Sequence, residues 1–278
     1  MAPPHRLPYG LYYDPGFVMP ADREAILNYL ATLHPIWEWR YSTKKPLGKN
    51  QEQRRLLRPV YWLGNWQFAC LDYYRPPERT RNSCLLAEAY PPVLAKLVLK
   101  AEKIARGMFR KEDLPKGWHL NTCLINFYGD QFQSGKRMDC ARVGEHKDFE
   151  PGPVASISFG ERAFFQFVES SRRMGPSRPV LQQWLDDSSL QIFGGRAWKE
   201  KYFHRVQRVE KKSKFTFPLP VEGFETRRIN FTFRYVPDEH IPHWPQLPKA
   251  IQNDVIDYMK ELAQHSDYFK KLLEEKTR

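Results

Sequence analysis

The chain has 278 residues, of which 41% are hydrophobic and 14% aromatic, so it can bury a substantial core in one large domain or two small ones. No run of about 18 apolar residues is present, which excludes a helical membrane span. The N-terminus lacks the pattern of a secretory signal, and we expect an intracellular protein, cytoplasmic or nuclear, that acts as a monomer.

The net charge of +12 arises from 44 Lys and Arg residues against 32 Asp and Glu residues. Such a balance favours a polyanionic partner, nucleic acid first, and a merely basic soluble surface is the alternative. The positive residues cluster at Arg54-Arg55 with Arg58, Lys136-Arg137 with Arg142, Arg172-Arg173 with Arg178, and Lys211-Lys212 with Lys214. The cysteines show no C-x-x-C spacing, which predicts reduced thiols and neither a disulfide framework nor a zinc site.

The first part of the chain predicts a surface arm followed by helices. Residues 1–20 are rich in Pro, Gly and Tyr, and a helical pattern opens at Pro20. Residues 91–109 predict a second helix, and residues 246–278 return to helix with a solvated tail. Residues 54–77 interleave aromatic side chains with arginines. Core packing near a sheet edge is favoured for most of these residues, although a few can stack on bases.

From Thr122 onward the hydrophobic period changes to two. The segments CLINFY, VASISFG, AFFQFV, SLQIFG and RINFTFRYV are short, rich in β-branched and aromatic residues, and bounded by Gly and Pro. They predict an α+β protein with an antiparallel sandwich or jelly-roll core and flanking helices. The predicted regions, within one compact unit, are a helical and aromatic support and lid (1–120), the core (121–238) and a C-terminal helical extension (239–278).

One short motif predicts a metal site. His146 and Asp148 are two residues apart and lie on the same side of a strand, where they can occupy adjacent positions on one ion. Nitrogen plus carboxylate suits iron(II) when a second histidine arrives from elsewhere. His204 is well placed for this, on a later apolar segment, and His119 is the only serious rival among the other histidines.

A later strand predicts a site for a dicarboxylate. Its residues alternate between an apolar face and a polar face that carries Arg228, Asn230, Thr232 and Arg234. Guanidinium groups pair bidentately with carboxylates. Three protein ligands leave open positions on a metal, at which a dicarboxylate held by arginine can chelate. This arrangement describes an oxygenase that uses 2-oxoglutarate.

The segment from Leu124 to Val236 resembles the catalytic core of the AlkB family of iron(II)- and 2-oxoglutarate-dependent dioxygenases. The family pattern is N-x-Y, H-x-D, a distal His and R-x-N-x-T-x-R. This chain carries these motifs in the same order as Asn126-Phe-Tyr128, His146-Lys-Asp148, His204 and Arg228-Ile-Asn230-Phe-Thr232-Phe-Arg234. The resemblance implies a double-stranded β-helix, which is the jelly-roll form of the predicted core.

The resemblance also implies roles for individual residues. His146, Asp148 and His204 would be the catalytic iron ligands. Contacts to 2-oxoglutarate would come from Asn126, Tyr128, Arg228, Asn230, Thr232 and Arg234. Arg228 is assigned to the distal carboxylate and Arg234 to the end near the metal, and the reverse assignment stays open. Glu150, two positions beyond the iron aspartate, would contact the substrate, and Trp66 and Tyr73 would sandwich a base.

The chemistry implied by the resemblance is oxidative demethylation of an N-alkylated base in DNA or RNA, as in repair of alkylation damage. O₂ and 2-oxoglutarate are consumed, succinate forms, and the hydroxylated methyl group leaves as formaldehyde. Two alternatives remain: a dioxygenase acting on a protein or small molecule, and a basic nucleic-acid-binding module without catalysis. The complete ligand set disfavours the second of these. Basic inserts at residues 129–145 and 205–227 are expected to border the active-site mouth and to influence the substrate.

Overall fold

The computed structural model describes residues 7–41, 53–67, 84–169, 177–241, 244–247 and 249–277. Within these residues the helices are α1 Pro20–Leu30, α2 Pro92–Met108, α3 Lys249–Leu262 and α4 Asp267–Thr277. The strands are β1 Leu11–Asp14, β2 Trp39–Tyr41, β3 Gln53–Arg55, β4 Val60–Gln67, β5 Cys84–Leu86, β6 Thr122–Gln133, β7 Lys136–Asp139, β8 Val143–His146, β9 Val154–Gly160, β10 Ala163–Glu169, β11 Arg178–Leu185, β12 Ser189–Phe193, β13 Phe203–Gln207 and β14 Phe224–Arg234. Among the described helices, none is both long and apolar enough to cross a membrane.

Two antiparallel sheets form the core. The larger sheet has the strand order β1-β12-β9-β14-β6-β4-β5, with β7 paired to β6, and the smaller sheet has the order β11-β10-β13-β8. Strands distant in sequence are therefore neighbours, as in a jelly roll. The predicted jelly-roll core with flanking helices is confirmed.

The central strand β14 separates a hydrophobic core from a polar cavity. Ile229, Phe231 and Phe233 are at most 1% exposed and belong to the main hydrophobic cluster. The alternate residues Arg228 and Arg234 line a cavity between the two sheets. The alternation of side chains along a strand places these two sets on opposite faces of the sheet.

All four helices pack on the apolar face of the larger sheet. Buried residues of each, such as Ile26, Leu97, Val255 and Phe269, belong to the same cluster as Ile229. The predicted helix at 91–109 is confirmed as α2. The predicted C-terminal helical region is confirmed as α3 and α4, and the side chains of its predicted solvated tail are mostly exposed, with Leu272 and Leu273 half-buried against the hydrophobic cluster. Ser266 Oγ accepts a hydrogen bond from the Phe269 backbone amide at the start of α4, and Phe269 is buried.

The predicted N-terminal arm is wrong for the residues that follow Gly10. Leu11–Asp14 forms an edge strand paired with β12, and Phe17 is fully buried. Gly10 has a φ of +89°, and a Cβ at this position would lie 2.6 Å from the Gly194 carbonyl oxygen. Glycine therefore allows the chain to turn and approach the end of β12.

The predicted basic loop at residues 129–145 is largely a hairpin. Strand β6 continues to Gln133, turns at Ser134 and Gly135, which both have positive φ, and returns as β7. The insert at 205–227 is less regular, and Phe217 forms an isolated bridge with Thr226.

Candidate metal and co-substrate site

The two sheets bring the predicted metal ligands together. His146 ends β8, Asp148 follows it, and His204 lies opposite His146 in the register of β13 and β8. One ligand atom from each residue lies within 4.8 Å of the others, and all three residues are buried. The smaller sheet therefore presents a cluster that can hold one metal ion.

The polar atoms of this cluster fit a divalent metal. His146 Nδ1 lies 2.8 Å from the Gly144 carbonyl oxygen, which makes this nitrogen the donor and Nε2 the unprotonated atom. Asp148 Oδ2, 3.4 Å from His204 Nε2, has no hydrogen-bond partner among the described residues. A buried carboxylate oxygen beside two imidazoles is a donor set suited to iron(II).

Electrostatics favour the ligand forms of these side chains. Burial lowers the pKa of His146 and His204, so both imidazoles are neutral. Burial alone would raise the pKa of Asp148, but the positive charge of Arg234 holds this pKa below its usual range. Neutral histidines and an ionised aspartate are the forms that bind a metal.

Arg234 joins two carboxylates beside the cluster. Its Nε donates to Asp148 Oδ1 at 2.8 Å and lies 3.5 Å from Glu150 Oε2. Glu150 is only 4% exposed, and it does not line the cavity that holds the metal cluster. The structure therefore places Glu150 next to the predicted iron ligands through Arg234.

The predicted co-substrate residues line one cavity together with the metal cluster. Its walls include Asn126, Tyr128, Arg228, Asn230, Thr232 and Arg234. Asn230 Nδ2 donates to Ser156 Oγ at 2.7 Å, and Thr232 Oγ1 donates to Asn230 Oδ1 at 2.8 Å. Arg228 donates from an NH₂ group to Ser158 Oγ at 3.0 Å, while its Nε is buried without a partner among the described residues. The guanidinium therefore retains a donor for a buried anion.

A third arginine in the cavity, Arg58, was not predicted from the sequence. Arg58 precedes β4, is 8% exposed, and donates from Nε to Asn126 Oδ1 at 2.8 Å. The guanidinium carbons of Arg58 and Arg228 lie 4.9 and 4.8 Å from the centre of the Tyr128 ring. Because β6 lies between β4 and β14, the two arginines approach Tyr128 from neighbouring strands. The only sequence signal for Arg58 was its membership of a basic cluster.

The structure does not bring Trp66 to this cavity. The Trp66 indole is 1% exposed, packs edge-on against Phe269 and donates to Glu38 Oε1 at 3.0 Å. The prediction that Trp66 stacks on a base is wrong for this conformation, because both ring faces are covered by core side chains. Its predicted partner Tyr73 lies outside the described residues.

Several cations of the basic inserts are used inside the protein. Arg227 is 1% exposed and contacts Asp130, Asp139 and Glu161. Arg137 contacts Asp130, and Lys212 lies 3.1 Å from Asp139. Arg137 and Lys212 therefore balance the charges of the buried Asp130 and the half-buried Asp139 inside the protein.

Similarity to known proteins identifies the class to which this chain belongs. The chain belongs to the 2OG-Fe(II) oxygenase superfamily, whose family model matches residues 10–234. Iron(II) and 2-oxoglutarate are thus confirmed as its cofactor and co-substrate, with O₂ as the oxidant of an oxygenase. The AlkB resemblance agrees with this membership. A comparison with curated proteins finds no match.

Solved structures of oxygenases are similar to this chain. OsALKBH1 shares 20% identity with a TM-score of 0.48, over 82% of this chain and 99% of its own. A 2OG-Fe(II) oxygenase family oxidoreductase from Burkholderia pseudomallei shares 13% identity with a TM-score of 0.38, over 84% of this chain and 89% of its own. YcfD, a ribosomal oxygenase from Escherichia coli in complex with cobalt and succinic acid, shares 13% identity with a TM-score of 0.29, over 94% of this chain and 65% of its own.

Proposed function

We propose that this oxygenase removes methyl groups from N-methylated bases of nucleic acid. The observation that carries the proposal is the arrangement around Arg234, which binds Asp148 of the metal cluster and lies beside Glu150. Glu150 thereby lies beside the metal cluster, behind the cavity wall, and in this proposal it accepts from an amino group of the base after the Arg234 side chain moves aside. The net charge of +12 supports a polyanionic substrate.

In this proposal His146, Asp148 and His204 hold the iron. Iron and 2-oxoglutarate, when bound, supply the oxidising power. Arg228 binds the distal carboxylate of 2-oxoglutarate, and Arg234 orients Asp148 and Glu150 relative to each other. Asn126, Tyr128, Asn230 and Thr232 complete the polar wall of the co-substrate cavity. A base within a duplex must be flipped out, or presented single-stranded, to reach such a buried site.

The direct test uses oligonucleotides that carry 1-methyladenine or 3-methylcytosine, in single- and double-stranded DNA and RNA. With iron(II), ascorbate and 2-oxoglutarate, we expect formaldehyde and the unmethylated base in equal amounts, accompanied by succinate. Mass spectrometry of the oligonucleotide and a formaldehyde assay measure both products. The matched control is the same oligonucleotide without the methyl group.

An oxygenase of protein or small-molecule substrates is the second candidate. The burial of Trp66 and the internal pairing of Arg137 and Lys212 favour it, because both remove groups expected to contact nucleic acid. Turnover of 2-oxoglutarate without demethylation of any of the oligonucleotides would support this candidate and contradict the proposal.

We expect the Arg58→Met variant to bind 2-oxoglutarate about 10–100-fold more weakly, because hydrogen bonds to charged groups contribute about 1.5–3 kcal/mol. In the wild type, Arg58 adds positive charge to the cavity and donates to Asn126 Oδ1, which fixes the orientation of the Asn126 amide group. Calorimetric titration of the manganese-loaded protein with 2-oxoglutarate measures the affinity. Arg55→Met is the control, since Arg55 stacks 3.8 Å above Trp37 and is not among the cavity residues. Equal affinities of Arg58→Met and wild type would contradict the role of Arg58.

A further inference from the structure

A second cavity, of about 490 Å³, lies on the helix-covered face of the larger sheet. Its wall is formed by the end of α1 with the residues that follow it, β4, the connection between β5 and α2, and the α3–α4 turn with the ends of both helices. Tyr61 of β4 lies in this wall and pairs with Ile125, whereas Asn126, the next residue of β6, lines the metal cavity. Because successive side chains point to opposite faces of a sheet, the larger sheet separates the two cavities.

The charged groups of this wall are carboxylates. Glu88 and Asp267 line the cavity, and no lysine or arginine is among its described lining residues. The charge of the wall is therefore opposite to that of the whole chain, which is +12. The wall also carries His34 and His265, whose rings stack with their centroids 3.6 Å apart. Burial, followed by the charge of His265, lowers the pKa of His34, so His34 is uncharged at neutral pH.

Glu88 is a half-buried carboxylate without a cationic partner. Its Oε1 accepts hydrogen bonds from Tyr61 Oη at 3.0 Å and from Ser266 Oγ. Within the described part of the chain, no group donates to Oε2 and no side-chain cation lies within ion-pair distance of Glu88. A carboxylate that is partly removed from water is stabilised by a positive partner, and two neutral hydroxyl donors compensate for only part of the lost hydration. Oε2 is therefore available to a ligand that carries positive charge.

Aromatic and apolar side chains form the remainder of the site. Three tyrosines line the same cavity as Glu88, namely Tyr29, Tyr61 and Tyr268. Burial first and the charge of Glu88 next raise the pKa of each tyrosine, so the three rings stay neutral. The faces of neutral aromatic rings attract cations. Leu33 and Leu262 add buried apolar surface to the wall. The cavity thus combines one carboxylate with aromatic and aliphatic surface, which suits a cation with a carbon chain.

We propose that this cavity binds an alkylammonium group, with the Glu88 carboxylate as its ionic partner and the tyrosine rings beside its carbon chain. A free polyamine and the lysine side chain of a partner protein both present this group. A divalent metal ion fits less well, because it requires several ligand atoms around one point. In the described part of the chain, the metal cluster of the other cavity is the only set of three such side chains within 4.8 Å. An anion would face two carboxylates without a lysine or arginine to bind it.

The first test needs no variant. Titration of the full chain with pentylamine and with pentanol, followed by ligand-observed NMR, compares two probes of similar shape that differ in charge at neutral pH. We expect pentylamine to bind at least about tenfold more tightly, because a hydrogen bond between an ammonium group and a carboxylate is stronger than one from a neutral hydroxyl. Equal binding of the two probes, or no binding of pentylamine, would overturn the proposal.

Glu88→Gln tests the position of the site. The variant keeps an oxygen that can accept from Tyr61 and Ser266, but it removes the negative charge. We expect its affinity for pentylamine to fall by about 10–100-fold. The matched control is Glu274→Gln, which makes the same change at an exposed position of α4 outside the cavity wall. Unchanged affinity in Glu88→Gln would place the amine elsewhere and overturn the assignment.

Thermal unfolding gives a second readout. A ligand that binds only the native state stabilises it, so we expect pentylamine to raise the Tm of the wild type and of Glu274→Gln, but not of Glu88→Gln. Spermidine and N-acetyl-lysine N-methylamide then represent the free polyamine and the lysine side chain, and the tighter of the two identifies the source. Failure of both to bind would contradict the proposal. None of these readouts depends on the reaction at the iron site, so the proposed demethylation stands or falls separately.

Discussion

Replacing His146 with alanine is expected to abolish 2-oxoglutarate turnover while leaving the chain folded. The substitution removes one of the three ligands that lie within 4.8 Å of one another, and no other histidine is close enough to replace it among the described residues. We expect turnover to fall by more than about 100-fold. Mutation of a residue that only hydrogen-bonds to a metal ligand costs about 10–100-fold, and loss of the ligand itself is expected to cost more. Succinate formation measures turnover, and metal analysis after dialysis against iron(II) measures binding.

The control for this substitution is His119→Ala. His119 was the rival ligand in the sequence, but its ring is exposed and its Nδ1 lies 2.8 Å from the Gly117 carbonyl oxygen. We expect full turnover from this variant. Asp148→Ala is expected to lose turnover as well, but it also removes one of the two carboxylates that contact Arg234. Unchanged turnover in His146→Ala, with circular dichroism matching the wild type, would remove the iron assignment.

Replacing Arg227 with methionine is expected to lower the free energy of unfolding by about 3–5 kcal/mol, the usual effect of breaking a buried ion pair from one side. Arg227 is 1% exposed and touches three carboxylates, so its removal leaves Asp130, Asp139 and Glu161 with too little compensating charge. Urea denaturation followed by fluorescence measures the change.

Arg137→Met provides the comparison within the same network. Arg137 also contacts Asp130, but its side chain is 55% exposed, so we expect a loss below about 1 kcal/mol. A small loss in both variants would show that the network contributes little to stability. In that case the cations of the inserts can leave this network at little cost in stability and contact a ligand at the surface.

The catalytic core was largely predictable because its signals are local. Strand β14 alternates strictly, so the polar face that lines the cavity could be identified from RINFTFR before any partner strand was known. The H-x-D motif likewise combines two ligands within three residues. His204 was harder to identify, because only the pairing of β13 with β8 brings it opposite His146.

Other features depend on tertiary contacts that no local pattern contains. Arg58 reaches the cavity because β4 pairs with β6. The base-stacking role predicted for Trp66 was wrong for the same reason, because the spacing of aromatic residues in the sequence does not show which face of a sheet a helix will cover. Helices α3 and α4 supply that cover from the other end of the chain.

The position of β14 at the centre of the larger sheet sets the order in which the protein can assemble. Strands β6 and β9 both pair with β14, which follows all the other described strands in the sequence. During synthesis these strands lack their common neighbour until residues 224–234 have emerged, and such long-range pairing is slow. Arg228 and Arg234, which line the cavity, arrive on this last strand. Until then the nascent chain has no complete cavity, and β6 and β9 present unpaired edges on the side that β14 will occupy.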